Sequence, residues 1–201
     1  GFRKRVQVAV AAPSRPIPVA PLRRASPRLW FVFAGAIVLS LFMHEAGHCL
    51  VAWLHGCPAT PTPAKEYLLR PLPPGASNAV ALGGVLGSVA GLLGAAYWLF
   101  RRPGTMRSAL LAGAMTLPGF YALRFFLAGR GHDSTEFQET QAALGLSYSG
   151  HAVDWLFLGL FVLAAVFWFW RTRPPLTFQL AVRLLAGAML GLVVIILLQV
   201  G

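Results

Sequence analysis

Apolar runs of bilayer length constrain this chain more than any other feature. Five stretches stand out: Leu29–Leu54, Ala79–Phe100, Ser108–Ala128, His151–Trp170 and Thr177–Val200. A helix needs about 20 residues to cross a hydrocarbon core of roughly 30 Å, and each of the five meets that length. The rest of the composition agrees, because 57% of the residues are hydrophobic and only 11% are charged, against roughly 25% charged in a soluble domain. An aqueous globular domain is therefore excluded. The expected fold is an all-α polytopic membrane protein with about five transmembrane helices.

The connections carry the breaks. Six prolines between Pro58 and Pro74 separate the first two stretches. Within them, Glu66–Arg70 reads either as a short strand or interfacial turn, or as part of a stiff Pro-rich connector. Pro118 followed by Gly119 predicts a kink in the third stretch. Gly83, Gly87 and Gly91 recur every fourth residue in the second. Small residues on one face let two membrane helices bring their backbones close together, and they also leave room beside a site for an extended substrate. Cys49 and Cys57 make no disulfide framework, and without a CxxC they make no thiolate zinc site.

The net charge of +11 would suggest nucleic acid in a soluble chain, but its distribution points to lipid. Seven basic residues fall within positions 1–28, among prolines and without an acid. That segment reads as a disordered tail drawn to anionic headgroups, with no folded basic surface for a nucleic acid. The first apolar stretch is too long, and too rich in charged motif residues, for a cleaved signal peptide. Arg101, Arg102, Arg107, Arg171 and Arg173 mark the alternate connections, whereas the opposite ones hold only Lys65, Arg70 and Arg130. The positive-inside rule then predicts a multi-pass cell-membrane protein with its N-terminus in the cytoplasm.

Histidines and acids sort the opposite way. All five His and all six Asp and Glu fall in outer helix halves or outer loops, and such a layer points to a single site. Its sharpest element is His44-Glu45-Ala46-Gly47-His48, an HExxH on a helix. His44 and His48 lie one turn apart on the same face, where both imidazoles can reach one zinc ion, and Glu45 is placed to act as a general base. Ionisable residues at membrane depth are costly and mark function. His55 falls on nearly the same azimuth but about 16 Å along the axis, out of ligating range of an unbroken helix. A third ligand is sought in the polar stretch after the third span. Asp133 is favoured by its depth and helix-end position, because a carboxylate completes a two-histidine zinc site. His132 and Glu136 compete for that place, while Glu139 reads as a solvated residue. His151 and Asp154, spaced i,i+3, read as a supporting pair or as a polar helix start.

The HExxH in a first core helix, the small-residue middle helix with its Gly84-x-x-x-Ser88 element, and the Asp after a third helix together resemble the site-2 protease family of intramembrane zinc metalloproteases. The resemblance implies that His44, His48 and Asp133 hold zinc and that Glu45 activates water to cleave peptide bonds at membrane depth. Ser134 stands where that family has Gly after the Asp, and the chain has no room for a PDZ or CBS module, so a divergent or minimal member is implied. The domain reading that follows is a cytoplasmic tail over 1–28, a three-helix metalloprotease-like core over 29–150, and two further spans over 151–201.

The expected function is a zinc-dependent endopeptidase acting on membrane-embedded or juxtamembrane peptide bonds, with a membrane protein as its substrate. The alternative is a structural or assembly subunit of a membrane complex that keeps the fold without turnover and binds partner subunits. A metal transporter has weaker grounds, because the inner helix halves hold neither acid nor His.

Overall fold

The computed structural model describes residues 27–62, 65–128, 134–172 and 193. The basic tail, His132, Asp133 and the fifth apolar stretch lie outside the described residues. Helix α1 (Pro27–Leu54) leads to a hairpin of β1 (Ala59–Pro61) and β2 (Glu66–Leu68). Helices α2 (Ser77–Arg101), α3 (Thr105–Ala114), α4 (Thr116–Ala128), α5 (Ser134–Ala143) and α6 (Ala152–Thr172) follow. Among the described residues, four helical segments are long and apolar enough to span a bilayer: α1, α2, α3 with α4, and α6. Large apolar side chains cover their outer faces, among them Phe31, Leu39, Leu93, Phe126, Leu163 and Val166. In water so much exposed apolar surface would drive association, whereas lipid solvates it. The protein is a multi-pass, bilayer-embedded helical protein.

Glycines set the distances between helices. A Cβ at Gly47 would run into the Gly83 carbonyl and one at Gly87 into the Met43 carbonyl, so α1 and α2 touch backbone to backbone. This is the close approach that the four-residue glycine repeat predicts. Gly113 admits α3 against Phe33 and Ala36 of α1, and Gly119 admits the Phe161 ring of α6. Leu92, Leu99, Leu111, Met115 and Trp168 form one core cluster, and Val85, Leu117, Tyr121, Phe137, Val153 and Phe157 form another.

The kink expected at Pro118 falls at Met115, where α3 ends and α4 begins. The shift has a direct cause. Proline has no N–H to offer the carbonyl four residues earlier, and its ring crowds that carbonyl. Here that residue is Ala114, the last of α3.

Residues 66–68 resolve as a strand. It pairs antiparallel with residues 59–61, matching Ala59 with Leu68, Thr60 with Tyr67 and Pro61 with Glu66. The hairpin is tied to the end of α1, with Trp53 Nε1–H donating to the Ala59 carbonyl at 2.8 Å. Cys57 Sγ–H donates to the Arg70 carbonyl at 3.0 Å, and Leu69 N–H to the Pro58 carbonyl at 2.8 Å. At the other end of the bundle, Arg107 donates to the Arg102 carbonyl at 2.8 Å and Arg171 to the Phe100 carbonyl at 3.2 Å. The arginines that the charge pattern assigns to one side thus meet around the C-terminus of α2, where cations complement the helix dipole.

Candidate metal centre

The i,i+4 spacing puts His44 and His48 on the face of α1 that meets α2, with 4% and 5% of their surface exposed. Each ring is held by its inner nitrogen. His44 Nδ1 shares a hydrogen bond with Ser88 Oγ at 2.9 Å, and His48 Nδ1 lies 2.7 Å from the Val80 carbonyl. A carbonyl only accepts, so the proton of a neutral His48 sits on Nδ1 and its Nε2 presents a bare lone pair. That is the tautomer a metal ligand needs, fixed by a neighbouring acceptor in the manner usual for ligating histidines.

The two Nε2 atoms converge at 3.2 Å. The Glu136 carboxylate closes the triangle, with Oε2 at 3.4 Å from His44 Nε2 and Oε1 at 3.6 Å from His48 Nε2. Bonds of about 2.0–2.1 Å to a tetrahedral zinc put ligand atoms about 3.3 Å apart. The three separations bracket that value. The donor set of two imidazoles and one carboxylate also suits a zinc site that keeps a further position for water. Glu136 Oε1 is buried and has no hydrogen-bond partner, a costly arrangement at this depth unless a cation sits against it. These residues form a buried His/His/Glu cluster able to coordinate a metal ion.

Helix α2 is shaped around both rings. Gly84 lies against the His48 imidazole so closely that a Cβ would enter it, while Ser88, one turn on, bonds His44. The Gly84-x-x-x-Ser88 spacing on α2 therefore mirrors the His44-x-x-x-His48 spacing on the antiparallel α1. Glu45 is buried at 8% exposure, and its Oε2 has no hydrogen-bond partner. Donor atoms of Glu45, His48 and Glu66 lie within 4.8 Å of one another, which makes a second group adjoining the first.

Sequence reasoning missed two participants. Glu66, assigned to the connector, arrives on β2. Tyr121, read only as part of an apolar span, lies with its ring centroid 6.4 Å from that of His44, packed on Phe137 and Phe157. The signal for Glu66 was its membership of the outer acidic layer, while nothing local marked Tyr121. Glu136 was a competitor for the third ligand and is the carboxylate found at both imidazoles. His132 and Asp133 lie outside the described residues. Glu139 joins neither group. His55 is exposed beyond the end of α1, where Gly56 at φ +73° turns the chain away. His151 and Asp154 form an exposed 3.2 Å pair at the start of α6.

Comparison of the chain with protein-family models, with curated proteins and with solved structures finds no match.

Proposed function

We propose that the protein is an intramembrane zinc endopeptidase of the site-2 protease type. In this reading His44, His48 and Glu136 hold the metal and Glu45 is the catalytic base. The observation that carries it is the convergence of two oriented Nε2 atoms, 3.2 Å apart, on a buried carboxylate. When bound, zinc supplies a Lewis acid and lowers the pKa of water toward neutrality. Ser88 and the Val80 carbonyl orient the two imidazoles. Glu45 Oε2 accepts the proton of the attacking water and returns it to the leaving nitrogen. Packed apolar helices around the cluster keep bulk water away, which strengthens each electrostatic contact within it. The orientation that accompanies this reading has a cytoplasmic N-terminus and a metal centre nearer the outer face.

The test measures zinc content and cleavage of a panel of membrane-protein substrates in parallel, on purified full-length chain. Glu45→Gln is expected to retain zinc and lose cleavage, while His44→Ala loses both. Glu136→Gln is expected to weaken zinc binding more than Asp133→Asn. The reverse order would move the third ligand to Asp133. Zinc bound by wild type without cleavage of any substrate would favour the assembly-subunit reading, and cleavage by Glu45→Gln at the wild-type rate would refute the mechanism.

A further inference from the structure

Glu66 is an acid without a counter-charge. It reaches the site from the hairpin, half-buried, with its donor atom within 4.8 Å of Glu45 and His48. Neighbours along a strand point to opposite faces. Lys65 accordingly turns away and lays its ammonium over the Tyr67 ring, 4.7 Å from the centroid. Among the described residues no Lys or Arg forms an ion pair with Glu66 or Glu45. Glu45, itself 8% exposed, aims an unpartnered Oε2 into the same space. Glu45, Glu66 and Glu136 together outweigh one divalent ion, and an uncompensated charge in apolar surroundings is strongly unfavourable.

A second resident metal is a poor candidate for the missing charge. His48 Nδ1 is committed to the Val80 carbonyl, and its Nε2 to the first group. Only two carboxylates remain, where a zinc site takes three or four protein ligands. A group that brings several N–H donors of its own fits better, since charge-assisted hydrogen bonds to carboxylate are the strong ones.

Resting on the metalloprotease reading, we infer that Glu66 binds an ammonium group of the substrate next to the scissile bond. The preferred substrates are then peptides carrying a lysine-type side chain or a free α-amine at that place. Glu66 is a specificity residue of the site, standing beside the base on the hairpin while His44 and His48 hold the metal from α1.

The experiment uses the full-length chain in detergent, loaded with Co2+, whose visible spectrum reports ligands entering the metal's coordination sphere. Three metal-binding probes are titrated. Nα-acetyl-norleucine hydroxamate carries no ammonium, Nα-acetyl-lysine hydroxamate carries one on its side chain, and norleucine hydroxamate carries one on its α-amine. At least one ammonium probe is expected to bind about tenfold tighter than the neutral one, and which one does so identifies the ammonium's source. In Glu66→Gln that preference should fall to within about twofold, with affinity for the neutral probe unchanged. Equal binding of all three by wild type, or a preference that survives in Glu66→Gln, overturns the inference and leaves the metal reading intact. Loss of Co2+ from Glu66→Gln, or two Co2+ per wild-type chain falling to one, also overturns it, by making Glu66 a ligand. Absence of Co2+ from wild type is visible before any probe is added and brings down the metal reading as well.

Discussion

Gly84 lies flat against the imidazole of His48, so close that a single methyl group at position 84 would occupy the space of the ring. The ring cannot retreat freely, because its Nδ1 is tied to the Val80 carbonyl one turn away on the same helix. Gly84→Ala is therefore expected to turn His48 out of place and weaken zinc binding by at least about tenfold. Gly94→Ala is the control, since a Cβ there meets nothing and helix propensity favours Ala. Isothermal titration of zinc into both variants checks the contrast. Equal affinities would mean that His48 does not depend on the Gly84 contact.

Ser88 offers the parallel case for His44. Its hydroxyl is the partner of His44 Nδ1 at 2.9 Å, and both residues are buried. Removing an outer-shell partner of a ligating histidine costs about 10–100-fold in metal affinity. Ser88→Ala should fall in that range with the fold preserved. Ser108→Ala, another buried serine, on α3 outside both ligand groups, should leave affinity unchanged. A chelator-competition assay on the two variants reads the difference.

Much of this architecture was legible in the sequence, and what was hidden has a common cause. Spans α1, α2 and α6 follow from composition, because a bilayer imposes its thickness on any apolar run. The His44–His48 pair follows from helical period alone. The Pro118 break was legible but displaced, since a proline acts on the carbonyl four residues before it. By contrast, Glu136 and Glu66 reach the site only through tertiary folding. The first depends on α5 lying back against α2 and the second on the register of a hairpin that lacks an Asn-Gly or Asp-Gly turn signal. The outer layer of acids marked the depth of the site without saying which acid would reach the imidazoles.

The two ends of the bundle differ in charge, and that difference predicts orientation. Arg101, Arg102, Arg107 and Arg171 surround the C-terminus of α2, while Glu45, Glu66 and Glu136 lie toward the other end. Engineered cysteines test the expected topology. Gly104→Cys should react with a membrane-impermeant maleimide only after the membrane is opened, and Tyr67→Cys should react from outside intact cells. Both parent positions are accessible at the ends of the bundle, and native Cys49 and Cys57 are buried. The opposite pattern would invert the protein in the membrane and put the metal centre nearer the cytoplasm.

Gln141 governs where α5 sits, and through α5 it governs Glu136. The side chain is 1% exposed. Its Oε1 accepts from Ala152 N–H at 2.6 Å and Val153 N–H at 3.4 Å, capping α6. Its Nε2 donates toward the carbonyls of Ser147, Tyr148 and Gly150 at 3.3, 3.3 and 2.9 Å. One amide thereby fastens the end of α5 to the connection and to the first turn of α6. Gln141→Leu keeps much of the volume but strands several buried backbone groups, each costing about 1–3 kcal/mol when left unpaired. Global stability is expected to fall by about 2–4 kcal/mol, a loss that any structural clamp would produce. The informative readout is zinc linkage. Zinc that binds only the folded state raises stability in proportion to its affinity, so a displaced Glu136 makes the zinc-induced rise in Tm smaller as well as the starting Tm lower. Gln141→Glu, which keeps the acceptor toward Ala152 and loses the donors, should fall between wild type and Gln141→Leu on both measures. A full zinc-induced rise in Gln141→Leu would show that Glu136 keeps its place without the clamp, and the role of Gln141 would then end at stability.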